Sequence, residues 1–61
     1  MVISDLATPS EVAEALRTTT AQLSQMRYQG RGPRFVKFER RVLYRWSDVN
    51  EYLEANTQHH D

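Results

Sequence analysis

Between Val12 and Gly30 the chain reads VAEALRTTTAQLSQMRYQG, two short helical patterns, Val12 to Leu16 and Ala21 to Met26, separated by Arg17-Thr18-Thr19. That spacing is the signature of a helix-turn-helix, and it limits the fold more than any other stretch does. The second pattern supplies only two firmly buried candidates, Leu23 and Met26, three apart on one face. Its other face carries Thr20, Ala21, Ser24, Gln25 and Tyr28. Such small or hydrogen-bonding side chains suit base edges in a major groove better than a core.

The boundaries of these helices are written in the flanking residues. T-P-S-E places Thr8 at an N-cap, Pro9 at the first helical position where its missing N–H is no loss, and Glu11 where it completes a capping box. Helix one is expected from Pro9 to about Leu16, with Val12, Ala13 and Leu16 inward and Glu11 and Glu14 in solvent. Thr19 repeats the device with Gln22, so a second helix starts at Thr20 after a three-residue connection. It ends before Gly30, a residue suited to a left-handed C-terminal cap, and Arg27 near its end complements the helix dipole. Arg31-Gly32-Pro33 cannot continue it.

From Phe35 to Arg45 the period changes from helical to alternating. Two short strands rich in β-branched and aromatic residues, joined by a tip at Glu39-Arg40-Arg41, read as a hairpin with Val36, Phe38, Val42 and Tyr44 on its core face. The tip has no Asn-Gly or Asp-Gly, so its turn type stays open. Ser47 is the expected N-cap of a last helix, with Asp48 in the first turn and Val49, Tyr52 and Leu53 as its buried stripe. Ahead of all this, Val2, Ile3 and Leu6 form a short extended lead. Beyond Ala55, NTQHHD has no apolar anchor and is expected to fray.

At 61 residues there is room for one domain and one small core, because a chain this short buries only about 60% of its unfolded surface. The predicted core is Leu6, Val12, Ala13, Leu16, Leu23, Met26, Val36, Phe38, Val42, Tyr44, Val49 and Leu53. A deep catalytic cleft does not fit in that size, no nucleophile or titratable pair stands out, and G-R-G-P lacks the Lys and Ser/Thr of a phosphate loop. With no Cys, disulfides and Cys-based zinc sites are excluded. His59 and His60 have no ligand spacing and read as tail residues, so no metal and no cofactor is expected. No apolar run approaches the roughly 18 residues of a membrane span, and MVISDLA lacks a basic region followed by a long apolar core. A cytoplasmic protein without membrane association is the expectation.

The formal net charge is zero, but the charges are segregated. All eight bases, Arg17, Arg27, Arg31, Arg34, Lys37, Arg40, Arg41 and Arg45, lie between residues 17 and 45, with Glu39 the single acid among them. Residues 1–16 and 46–61 carry acids and no Lys or Arg. A concentrated basic field favours a polyanion whatever the net charge.

Three runs, E-V-A-E-A-L, M-R-Y-Q-G-R-G-P-R-F-V-K-F and R-R-V-L-Y-R-W-S-D-V-N-E-Y-L, together resemble the MerR-like winged helix domains of the excisionase family over Glu11 to Leu53, about two-thirds of the chain. The G-x-G-P-x-F-x-K stretch and the V-x-Y-x-x-S-D-V-x-x-Y-L stretch are specific in combination. The order read from the residues, helix, helix, hairpin, helix, is that of a small, mostly α winged helix-turn-helix domain, expected to span residues 1–61 with its core in 6–55 and a frayed tail over 56–61, and the resemblance implies the same fold. It implies double-stranded DNA near attachment sites as the partner, bent by a recombination directionality factor that turns a phage integrase toward excision. Small transcriptional regulators of the AlpA type share the fold and are the alternative; a protein-interaction module is a more distant one. Two departures stand out: Arg17 and Glu39 occupy turn positions where the family commonly has Gly. An Arg held at positive φ would carry about 1 kcal/mol of strain.

On this reading Thr19, Thr20, Gln22, Ser24, Gln25, Arg27 and Tyr28 form the recognition helix surface, with Ser24 and Gln25 as groove readers and Thr19 serving both as cap and as a ligand for phosphate. The competing reading is a capped, solvated helix face. Arg40 and Arg41 at the hairpin tip, flanked by Lys37 and Arg45, suit a narrow minor groove, although tip arginines also protect hairpins from aggregation. Arg27, Arg31 and Arg34 are expected to hold phosphates. Tyr28 is balanced between stacking and core edge, and Trp46 leans to core or a partner surface. Because one such module covers a short site, self-association, side-by-side loading on DNA or contact with the integrase is expected.

Overall fold

The structure is a computed structural model and describes residues 5–57. In order it comprises β1 (Leu6–Ala7), α1 (Pro9–Ala15), α2 (Thr20–Tyr28), β2 (Phe35–Phe38), β3 (Arg41–Arg45) and α3 (Trp46–Ala55). The strands form one antiparallel sheet in the order β1-β3-β2. This is a mostly helical, small α/β domain. Neither a seven- nor a nine-residue helix is stable alone in water, so α1 and α2 depend on the core they share with β3 and α3.

Both helix starts follow the local chemistry. Thr8 Oγ1 accepts from Glu11 N at 3.1 Å while Glu11 Oε1 accepts from Thr8 N at 2.9 Å, a complete capping box with Pro9 at the first position. At α2 only half of the device forms: Thr19 Oγ1 accepts from Gln22 N at 3.1 Å, and the Gln22 side chain makes no return bond.

The two helix ends are built alike. After α2, Gly30 sits at φ 72°, Gly30 N donates to Arg27 O and Arg31 N to Met26 O. After α1 the equivalent position is Arg17 at φ 58°, with Arg17 N donating to Glu14 O and Thr18 N to Ala13 O. Because α1 closes at Ala15, the connection holds Leu16 to Thr19, four residues where the sequence suggests three. Gly32 has a separate reason to be glycine: at φ 92° a Cβ there would meet Met26 Cε at 3.0 Å. The loop is thereby pressed onto the end of α2, with Pro33 buried beside it.

The hairpin corrects the sequence reading. Phe38 pairs with Arg41, so the tip holds only Glu39 and Arg40, and Arg41 belongs to β3. Shortening the tip by one residue reverses the face of one strand relative to the other. The ladder pairs Phe35 with Tyr44 and Lys37 with Val42, which share the face toward the core; Val36 and Phe38 lie on the opposite face with Leu43 and Arg41. Phe38 is accordingly 60% exposed, not a core residue.

The buried core consists of Ala7, Val12, Ala13, Leu23, Met26, Tyr44 and Val49, with Leu16, Val42, Trp46 and Tyr52 packed at its edge. Ala7 takes the place predicted for Leu6, because Ala7 pairs with Tyr44 and shares its face. On α3 the inward stripe is Val49 and Tyr52, and Leu53 is 46% exposed. Helix α3 also begins earlier than expected. Strand β3 runs straight into Trp46, leaving Arg45 at the N-cap with no side-chain cap, while Ser47 donates its hydroxyl to Asp5 Oδ2 at 3.1 Å. At the far end, Asn56 and Thr57 side chains donate to Tyr52 O and Leu53 O. The expectations for Val2, Ile3, His59 and His60 lie outside the described residues.

Candidate functional site

Helix α2 buries two residues, Leu23 and Met26, holds Arg27 half-buried and turns the rest outward. Thr20, Ala21, Gln22, Ser24, Gln25 and Tyr28 are all exposed, Tyr28 at 87%, so it is neither core nor core edge. No acid lies on this helix or its flanks between residues 17 and 38. Thr19, the cap, is exposed as well, and its Oγ1 is held by the Gln22 backbone amide.

The basic side chains around α2 and the hairpin divide into three groups. Arg31, Arg34, Lys37, Arg40 and Arg41 are exposed, and of these Arg31 has one internal hydrogen bond, from its Nε to Gln29 Oε1 at 2.6 Å. Arg45 is tied back: its Nε lies 2.7 Å from Oδ2 of the buried Asp48 in the first turn of α3. It lies on the face of β3 opposite Tyr44 and is a structural ion pair more than an open cation.

Arg27 forms the third group alone. From the last turn of α2 its Nη1 donates to Tyr44 Oη at 2.7 Å, and its guanidinium carbon lies 5.8 Å from the Phe35 ring centroid and 5.9 Å from that of Tyr44. Tyr44 is fully buried in β3, so this bond joins the end of α2 to the base of the hairpin. The sequence places Tyr44 in the core, as found. It does not reveal Phe35 as its neighbour, because that depends on the length of the tip.

A shallow, open recess lies between the Gly32–Arg34 loop and α3, with Asp48, Glu51 and Tyr52 along its wall. Among the described residues there is no cluster of three or more His, Cys, Asp or Glu side chains placed to hold a metal, and no helix is long and apolar enough to cross a membrane. The chain matches no protein-family model and no curated protein.

Proposed function

We propose that the protein is a winged helix DNA-binding protein of the excisionase type, in which α2 enters a major groove and the β2–β3 hairpin acts as the wing over the adjacent minor groove. The observation that carries this reading is the outward face of α2. A nine-residue helix that buries only two side chains and turns outward Thr20, Ala21, Ser24, Gln25 and Tyr28, with no carboxylate, is poor core material and good groove material. Supporting it, the exposed Lys37, Arg40 and Arg41 lie on the hairpin that Arg27 joins to α2.

In this mechanism Ser24 and Gln25 face base edges, Thr19 and Thr20 meet a phosphate at the helix start, and Arg31 and Arg34 neutralise flanking phosphates. Arg40 and Arg41 take the minor groove, where a narrow groove concentrates negative potential. Arg45 leaves this set for the supporting ion pair with Asp48. So small a binding area holds DNA weakly alone, and working occupancy comes from several copies loaded side by side or from contact with a phage integrase. Bending the site beside an attachment core then favours the excisive complex.

The test is a gel shift on circularly permuted fragments carrying the attachment region of the element that encodes the protein, with and without the neighbouring integrase. Position-dependent mobility, stepwise bands and integrase-dependent excision support the excisionase reading. A single unbent band at a promoter, without effect on recombination, replaces it with a transcriptional regulator of the AlpA type. No shift at low salt leaves the fold as a protein-interaction module.

A further inference from the structure

Arg27 differs physically from the other basic residues. It is half-buried, and the one ion pair among the described residues is Arg45–Asp48, so Arg27 carries its charge into the domain without a carboxylate partner. What holds it is neutral: one phenol oxygen and the faces of two aromatic rings. A guanidinium has five N–H donors, and the bond to Tyr44 uses one of them. An anion arriving from outside would complete such a site, and a pre-aimed planar fork is suited to a phosphate.

The neighbourhood points the same way. Phe35 is 43% exposed beside the guanidinium, and Lys37, two residues on, lies on the same face of β2 and is exposed. Arg27, Phe35 and Lys37 thus line one strip from the end of α2 along the hairpin. The exposed Arg40 and Arg41 at and beside the tip must each give up rotamer freedom on binding. Arg27 has already done so.

We propose that Arg27 is a preset phosphodiester clamp and that Tyr44 is its positioning residue, acting through the Arg27 guanidinium without touching DNA. The proposal rests on the DNA-binding reading above and names the interaction that fixes α2 and the hairpin in register on one strand. Tyr44→Phe retains every charge and almost all of the core volume, yet removes the oxygen that aims the guanidinium.

The experiment measures the affinity of the full chain for a short fluorescein-labelled duplex of mixed sequence by anisotropy, across a range of NaCl concentrations. The set is wild type, Tyr44→Phe, Arg27→Lys and the double variant, each checked for a cooperative melt by circular dichroism. Each single variant is expected to bind about 3- to 10-fold more weakly than wild type at every salt, the equivalent of one missing hydrogen bond. The salt slope should change by much less than the 0.9 or so expected when one phosphate is no longer neutralised, since no charge is removed. In the Arg27→Lys background, Tyr44→Phe should have no further effect, a non-additivity that a purely structural role for Tyr44 would not produce. Should Tyr44→Phe fail to fold, Arg27→Lys alone carries the test, because it keeps charge and helix propensity and loses only the fork. Tight wild-type binding with no loss in the variants, or with additive losses, overturns the clamp and leaves the DNA reading standing. Absence of wild-type binding at low salt overturns the DNA reading, and the clamp falls with it.

Discussion

Phe35 lies opposite Tyr44 across the β2–β3 ladder, their ring centroids 6.4 Å apart and their planes tilted by 60°. The two-residue tip puts both rings on the face of the hairpin that meets the core. Phe35→Ala should therefore destabilise the domain by about 1–2 kcal/mol through loss of the ring pair and part of its buried area. Phe38→Ala, on the opposite and open face, should change stability by less than about 0.5 kcal/mol. Urea denaturation of the two variants checks the order; a larger effect at Phe38 would mean that the tip holds three residues.

Tyr44 is fully buried and bridges α2 to the sheet. Removing its ring with Tyr44→Ala opens a cavity and strips Arg27 of its acceptor, a loss of about 3–5 kcal/mol. At this chain length that approaches the whole stability. Circular dichroism should show the variant largely unfolded at 37 °C, while Tyr44→Phe remains folded.

Among the described residues, two non-glycine residues hold positive φ, Arg17 at 58° and Glu39 at 56°. The left-handed conformation costs an L-residue about 1–2 kcal/mol, part of which glycine returns through its greater freedom in the unfolded chain. Arg17→Gly and Glu39→Gly should each raise stability by roughly 0.5–1 kcal/mol. They sit in separate turns, so the double variant should show the sum in thermal melts. On the functional reading, Glu39→Gly also removes the acid beside Arg40 and Arg41 and should tighten DNA binding at low salt.

Asp48 is buried in the first turn of α3 and holds Arg45 at 2.7 Å. The pair is partly open to solvent on the arginine side, so Asp48→Asn should lower stability by about 1 kcal/mol, more than a surface ion pair and less than a sealed one. The same change frees Arg45. Chemical denaturation reads the first effect, and a stability equal to wild type would show that the pair is incidental.

Much of the architecture is legible in the sequence because it is written in short-range chemistry. T-P-S-E and T-x-x-Q give the starts of α1 and α2 to the residue, and Gly30 marks where α2 closes. What is not legible depends on a single residue of loop length. A two-residue tip puts Phe35 and Lys37 with Tyr44 and Val42, and a three-residue tip would put Val36 and Phe38 there. Composition does not separate these registers, since both faces of β2 carry a Phe. Ser47 misleads for a related reason: a good capping residue is not used when the strand runs directly into the helix and the Asp48 carboxylate is taken by Arg45. The exposed face of α2 is readable from periodicity alone. The pairing of Arg27 with Tyr44 is not, because 17 residues and a loop separate them.

The most direct measurement of DNA binding through α2 and the hairpin is the affinity of the full chain for duplex DNA as a function of salt, wild type against the Arg40→Ala, Arg41→Ala double variant. Wild-type log affinity should fall linearly with log salt. The double variant should fold normally but bind more weakly, with a slope smaller by about 0.9 for each phosphate no longer neutralised. Equal affinity and equal slope for the two proteins would contradict the hairpin's role, and no wild-type binding at low salt would contradict DNA binding itself.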